Sequence, residues 1–165
     1  AEKFDPELKE MLDDKEYSLK VVGIERGNAK PRKDIAKWSD VKYIISYMYD
    51  DKFLPAKIDY EWQVVTDKTL IKDIVKTYFE KYYDENDDKQ TWFDKMKDLA
   101  ESKGFAREVK EFKANPDNFP GHVGDISTVI RVAMTGRCNT PDLCEILKVL
   151  GKDSIQARIE KLMNI

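Results

Sequence analysis

The segment from Gly124 to Ile165 constrains the fold more than any other, because start and stop signals divide it into three helices. Ile126, Val129, Ile130 and Ala133 recur at i, i+3, i+4 and i+7, which predicts a half-buried helix over 125–135 ended by Gly136. Thr140 then reads as a cap with Pro141 at the first helical position, where a missing N–H costs nothing, and Leu143, Ile146, Leu147 and Leu150 form an apolar side up to Gly151. Asp153 with Gln156 three residues later has the pattern of a capping box opening a third helix, which buries Ile155, Ile159 and Leu162.

The outside of the first of these helices carries the polar residues. Ser127, Arg131 and Thr135 stand four apart and form one stripe, which runs into Gly136-Arg137 and the turn Cys138-Asn139-Thr140, so hydrogen-bond donors collect at one helix end. Spacing alone makes this a solvated face with a good cap.

Upstream, Asp5-Pro6 starts a short acidic helix through about Leu12, and Tyr17 to Ile24 favours a further helix over a strand. Between Arg26 and Lys42 six basic residues face two acidic ones, with Gly27 and Pro31 among them; a basic connector of this kind either tracks a phosphate backbone by charge or is a solvated loop. Ser39 caps a helix with Val41, Ile44, Ile45 and Met48 inside, whose Tyr43, Tyr47 and Tyr49 widen the apolar surface. An apolar stretch with Ile58, Tyr60 and Trp62 leads to a long helix from Asp67 to about Tyr83. The acidic run Asp84–Asp88 reads as a solvated link that lacks the glycine and closing glutamate of a calcium loop. Thr91 caps a helix through Ser102 that Gly104 stops, and a last one runs from Phe105 to about Lys113, presenting Phe105, Val109 and Phe112. The fold class is all-α: a helical bundle of two small subdomains, divided as 1–62 and 63–165.

Composition narrows the function. Lys and Arg number 29 against 32 Asp and Glu, so the chain as a whole would not adhere indiscriminately to nucleic acid, and any such binding comes from a local patch. One histidine, His122 in a Pro-Gly-His loop, leaves no Ser/His/Asp relay, and no glycine-rich phosphate loop follows a strand. Cys138 and Cys144 are too few and too poorly accompanied for a zinc site and read as reduced thiols of a cytoplasmic protein; no metal is expected. No apolar run reaches the roughly 20 residues of a membrane helix. The residues by themselves describe a helical binding module rather than an enzyme, and a protein–protein adaptor using its Trp and Tyr surfaces is the reading that competes with RNA binding.

The order Arg131-Val-Ala-Met-Thr-Gly136-Arg137, Thr140-Pro141-Asp-Leu143, Leu150-Gly151-Lys152 and Ala157-Arg158-Ile159 resembles the C-terminal portion of bacterial glutamyl-tRNA synthetases. Trp92-Phe93 and Ala100-Glu101 resemble that family's Trp…Ala-Glu helix region, and 43–53 resembles the end of its stem-contact domain. The resemblance implies a monomeric, two-part helical region that binds the anticodon arm of a tRNA. A separate domain with His-x-Gly-His and Lys-x-Ser-Lys motifs, absent here, would activate glutamate with ATP and Mg. The sequence would then be an inactive fragment, an expectation that its start on Ala1 accompanies. Carried over position by position, the implied RNA-binding residues are Arg131, Met134, Thr135, Arg137, Thr140 and Leu143, with Arg32 as the nearest match to an arginine that judges the last anticodon base.

Overall fold

The computed structural model describes residues 5–30 and 38–165, and the arginine at position 32 lies outside them. Nine α-helices follow one another among these residues: α1 Pro6–Met11, α2 Lys15–Gly23, α3 Trp38–Ile45, α4 Asp50–Phe53, α5 Lys68–Lys81, α6 Lys89–Ser102, α7 Val109–Ala114, α8 Val123–Thr135 and α9 Leu143–Met163. Short 3-10 turns at Ser46–Met48 and Pro116–Asn118 interrupt the series. The described residues include no strand, only one parallel bridge between Ala106 and His122, so the all-α class holds.

The bundle is built around α8, which packs against α5, α6 and α9. Ile126, Ile130, Val132, Ala133 and Met134 are fully buried and Val129 nearly so, which is burial around most of the helix rather than along one stripe. The half-buried helix expected over 125–135 is therefore a central one. Its polar stripe does not face solvent either: Thr135 is 2% exposed, and the Ser127 hydroxyl is buried without a hydrogen-bond partner. Three neighbouring helices cover the Thr135 end of the stripe and leave Ser127 and Arg131 half-buried.

The caps moved from the expected residues in a consistent way. His122 caps α8, its Nδ1 accepting from the Gly124 amide at 2.9 Å while the Asp125 carboxylate accepts from the His122 amide at 2.8 Å, so this lone histidine is structural. Asp142, rather than Thr140, caps α9 by accepting from the Glu145 amide at 3.0 Å, and Asp88, rather than Thr91, caps α6 by accepting from the Thr91 amide at 2.7 Å. For α6 and α9 an aspartate stands three residues before the amide it accepts from, and the carboxylate also meets the positive end of the helix dipole. α3 is already helical at Trp38, so Ser39 lies inside it. α7 starts at Val109, later than Phe105, because Phe105 and Ala106 are buried in the extended segment that bridges to His122, and Val109 is exposed. Asp87 is likewise buried rather than solvated, held by both oxygens to Lys95 at 2.7 Å.

α9 breaks at Gly151, whose φ of 75° and ψ of 169° lie outside the helical region, so the two helices expected on either side of it are the two halves of α9. The expected capping role of Gln156 is absent; its amide donates to Glu160. One cluster of buried side chains runs from Leu8 to Leu162 and crosses residue 62. The first part of the chain joins it through Tyr17, whose hydroxyl donates to the Met48 carbonyl at 2.5 Å and whose pKa burial pushes up to about 12. α2 also packs on α9.

Candidate nucleic-acid interface

α8 ends at Gly136, which adopts φ 77°, a left-handed conformation that ends helices cheaply only for glycine. A Cβ at this position would lie 2.8 Å from Cγ2 of Ile58, so both the backbone and the space require glycine. The tight stop turns the chain at once into 137–142, and four side chains fix that turn.

Arg131 reaches across it. One guanidinium nitrogen donates to the carbonyl of Thr140 at 3.1 Å, to the carbonyl of Pro141 at 2.6 Å and to the Thr140 hydroxyl. Thr135 supports the near side: its hydroxyl donates toward the Arg131 and Arg137 carbonyls at 2.8 and 3.1 Å and accepts from the Arg137 amide at 3.1 Å. Glu61, from the extended segment after α4, supports the far side, its carboxylate accepting from the Cys138 amide at 2.9 Å while its own amide donates to the Gly136 carbonyl at 3.0 Å. Bonding to Cys138 holds the Glu61 carboxyl below the usual carboxylate range, with the Arg137 charge acting the same way, and the same contact pushes the Cys138 thiol up.

Arg137 turns away from Arg131 toward α3. Its Nη2 donates to the Tyr43 carbonyl at 2.7 Å, and its guanidinium carbon sits 4.2 Å from the centre of the Tyr43 ring and 5.2 Å from that of Tyr47. Arg131 and Arg137 are both half-buried, and Asn139, two residues after Arg137, is exposed. An open pocket of about 370 Å³ beside Arg137 is lined by Tyr43, Tyr47, Lys52, Lys57, Asp59 and Glu61, among others.

The residues expected to touch RNA thus separate into two groups. Arg131 and Thr140 meet in the turn, with Thr140 8% exposed, and Arg137 leaves the same turn toward Tyr43. Met134 and Leu143 are 0% and 1% exposed and belong to the core, as does Thr135. They stand at the two helix ends from which the turn springs. They lie on the buried side because α8 is enclosed and because Leu143 is the first residue of an inward-facing row on α9.

Three residues of this region escaped the reading of the sequence. Arg158 is 0% exposed and binds the carbonyls of Tyr47 and Met134 at 2.6 and 2.5 Å, so it sits behind the interface and joins α9, α8 and the segment before α4. The signal was available: Arg158 falls on the same helical face as Ile155 and Leu162. Glu61 gave none, since its role depends on an irregular segment, and Tyr43 read as apolar widening of α3 although the residue is 70% exposed.

Residues 111–163, which span α8 and all of α9, match the family described as the anticodon binding domain. The matched residues lie in the all-helical bundle described above. Over 99% of its length the chain is 38% identical to the glutamate–tRNA ligase of Acetivibrio thermocellus, 36% identical to that of Clostridium perfringens strain SM101 and 35% identical to that of Sorangium cellulosum. Over that length the chain is similar to one part of these glutamate–tRNA ligases. The chain spans 29%, 30% and 28% of the length of these three relatives. No solved structure matches it.

Proposed function

We propose that this chain binds the anticodon arm of a tRNA on behalf of a glutamate–tRNA ligase, and that the turn 136–142 is the edge that meets the unstacked loop bases. The observation that carries this reading is that the match to the anticodon binding domain at 111–163 contains a turn that Arg131 holds through Thr140 and Pro141 and that Arg137 ties to Tyr43. Arginine donors beside the exposed Asn139 suit hydrogen bonding to the edges of splayed bases, which is how single-stranded RNA is usually read. Met134, Thr135 and Leu143 act by positioning that turn. Arg32 keeps its proposed place at the last anticodon base on sequence alone.

The division at residue 62 is functional in this proposal, the first part meeting the stem and the second the anticodon. The ligase reaction with ATP and Mg is assigned to the portion of the relatives that this chain does not span, and the chain itself is a monomeric, cytoplasmic binding module without a cofactor. Among the described residues no helix is long and apolar enough to cross a membrane.

Titration of the purified chain with a tRNA-Glu anticodon stem-loop tests the reading. Weak but saturable binding is expected, falling as salt rises, with the anticodon nucleotides protected in footprinting. Protection confined to the stem, or equal binding by an unrelated hairpin, would defeat it. Pyrophosphate exchange with ATP and glutamate is expected to be at background; activity above it would remove the assignment of catalysis elsewhere.

A further inference from the structure

Among the described residues Glu25 is the only one other than glycine with a positive φ, 59°, a region that residues with a Cβ rarely enter. Such a backbone persists only where its surroundings hold it, and here the holder is visible. The Glu25 amide donates to Oε2 of Glu145 at 2.9 Å, across 120 positions of sequence. Glu145 stands in the first turn of α9, and its own amide donates to Asp142 at 3.0 Å. The other Asp142 oxygen pairs at 2.6 Å with Lys89, the first residue of α6. The exit of α2 and the starts of α6 and α9 therefore close on one junction. Arg131 reaches it from the turn, through the Pro141 carbonyl at 2.6 Å.

The chain that leaves this junction is basic. Arg26 follows Glu25 directly, its Nε donating to the Val22 carbonyl at 3.0 Å, and residues 26–30, which end on Lys30, are all exposed. Five residues span at most about 18 Å, so the backbones of both cations stay within that distance of the latch. Charge alone works against RNA at the junction: Glu25, Asp142 and Glu145 repel phosphate, and an electrostatic account has RNA binding tighten when Glu145 is lost.

Resting on the anticodon-arm reading, we infer that Glu145 is a positioning residue for RNA binding: by holding the Glu25 backbone it sets Arg26 and Lys30 beside the turn 136–142, where they meet phosphates of the same RNA loop. Glu145 itself touches no RNA. Arg26 and Lys30 supply charge that carries no sequence information, and the turn supplies the contacts to bases.

The test measures binding of a tRNA-Glu anticodon stem-loop by this chain over a range of salt concentrations, for Glu145→Ala, Glu145→Asp and Glu145→Gln. Glutamine keeps an acceptor oxygen at the same reach, whereas aspartate keeps the charge and is one methylene too short. Alanine and aspartate are expected to weaken binding by about 3- to 10-fold at low salt and to make the salt slope shallower by about one, as for one lost phosphate contact. Glutamine is expected to bind at least as tightly as the wild type, with the wild-type slope. Trypsin is expected to cut after Arg26 faster in the alanine and aspartate variants, because the exit of α2 opens locally. Tighter binding by Glu145→Ala, or wild-type affinity and slope in all three variants, overturns the inference and leaves the anticodon reading standing. Equal weakening by alanine and glutamine also overturns it, since the charge rather than the hydrogen bond would then act. A lower melting temperature with an unchanged slope makes Glu145 a strut only and overturns it as well. Glu145→Asp carries the comparison if Glu145→Ala does not fold. Failure of the wild-type chain to bind any stem-loop brings down the anticodon reading itself.

Discussion

Replacing Arg158 by methionine is expected to cost this chain about 3–5 kcal/mol of stability, the largest effect of any single substitution proposed for it. The guanidinium is fully buried and is satisfied on every side. Its Nη2 and Nε donate to one Asp50 oxygen at 2.8 and 3.2 Å, Nε also approaches the Ser154 hydroxyl at 3.2 Å, and Nη1 donates to the carbonyls of Tyr47 and Met134. The Phe53 ring lies 4.3 Å from its central carbon. Methionine nearly fills the volume but leaves two carbonyls of separate segments without donors, and an unmet buried acceptor costs roughly 1–3 kcal/mol. Burial lowers the arginine pKa, yet an arginine stays protonated, so the charge is compensated by geometry rather than lost.

Urea denaturation measures the expected loss as a shift of midpoint at unchanged slope. Asp50→Asn should cost less, since Asp50 is 39% exposed and water can replace part of what it gives. The double variant should then lose less than the two single costs added together, because both remove the same bonds. A loss under about 1 kcal/mol for Arg158→Met would show that the buried acceptors find other partners, contrary to this account.

Arg158 also marks where reading a sequence reaches its limit. Gly136, Gly151 and Gly104 were legible as stops because a left-handed φ leaves a chemical trace: all three have φ between 75° and 77°. Asp5 and Asp67 were legible as helix starts because each needs only a local amide three residues on. Non-local satisfaction leaves no such trace. The bonds from Arg158 to Tyr47, and from Arg137 to Tyr43, join residues that are 111 and 94 positions apart. Periodicity finds an apolar face and cannot tell how many helices will cover the opposite one, which is why the stripe of Ser127, Arg131 and Thr135 read as solvent-facing. The candidate site was legible through its ordered motif, as a segment; which of its side chains reach the surface was decided by packing.

Arg131 is where these two kinds of information meet, and Arg131→Ala is expected to act on RNA binding more than on folding. Its donors hold the carbonyls of Thr140 and Pro141, so removal frees the turn and costs about 1–2 kcal/mol of stability. The loss in affinity for the anticodon stem-loop should be larger in effect, about 1–3 kcal/mol, since the bases meet a loop that must be ordered at the moment of binding and a donor that is gone. Arg131→Lys separates the two contributions. A lysine keeps the charge but lacks the planar fork, so it should restore the salt dependence of binding without restoring the full affinity. If Arg131→Lys binds as the wild type does, the side chain acts as a point charge and the held turn is not what the loop bases meet. If Arg131→Ala lowers stability and leaves affinity unchanged, the arginine is a strut for α8 and α9, and the reading edge must be sought at Arg137 and the pocket beside it.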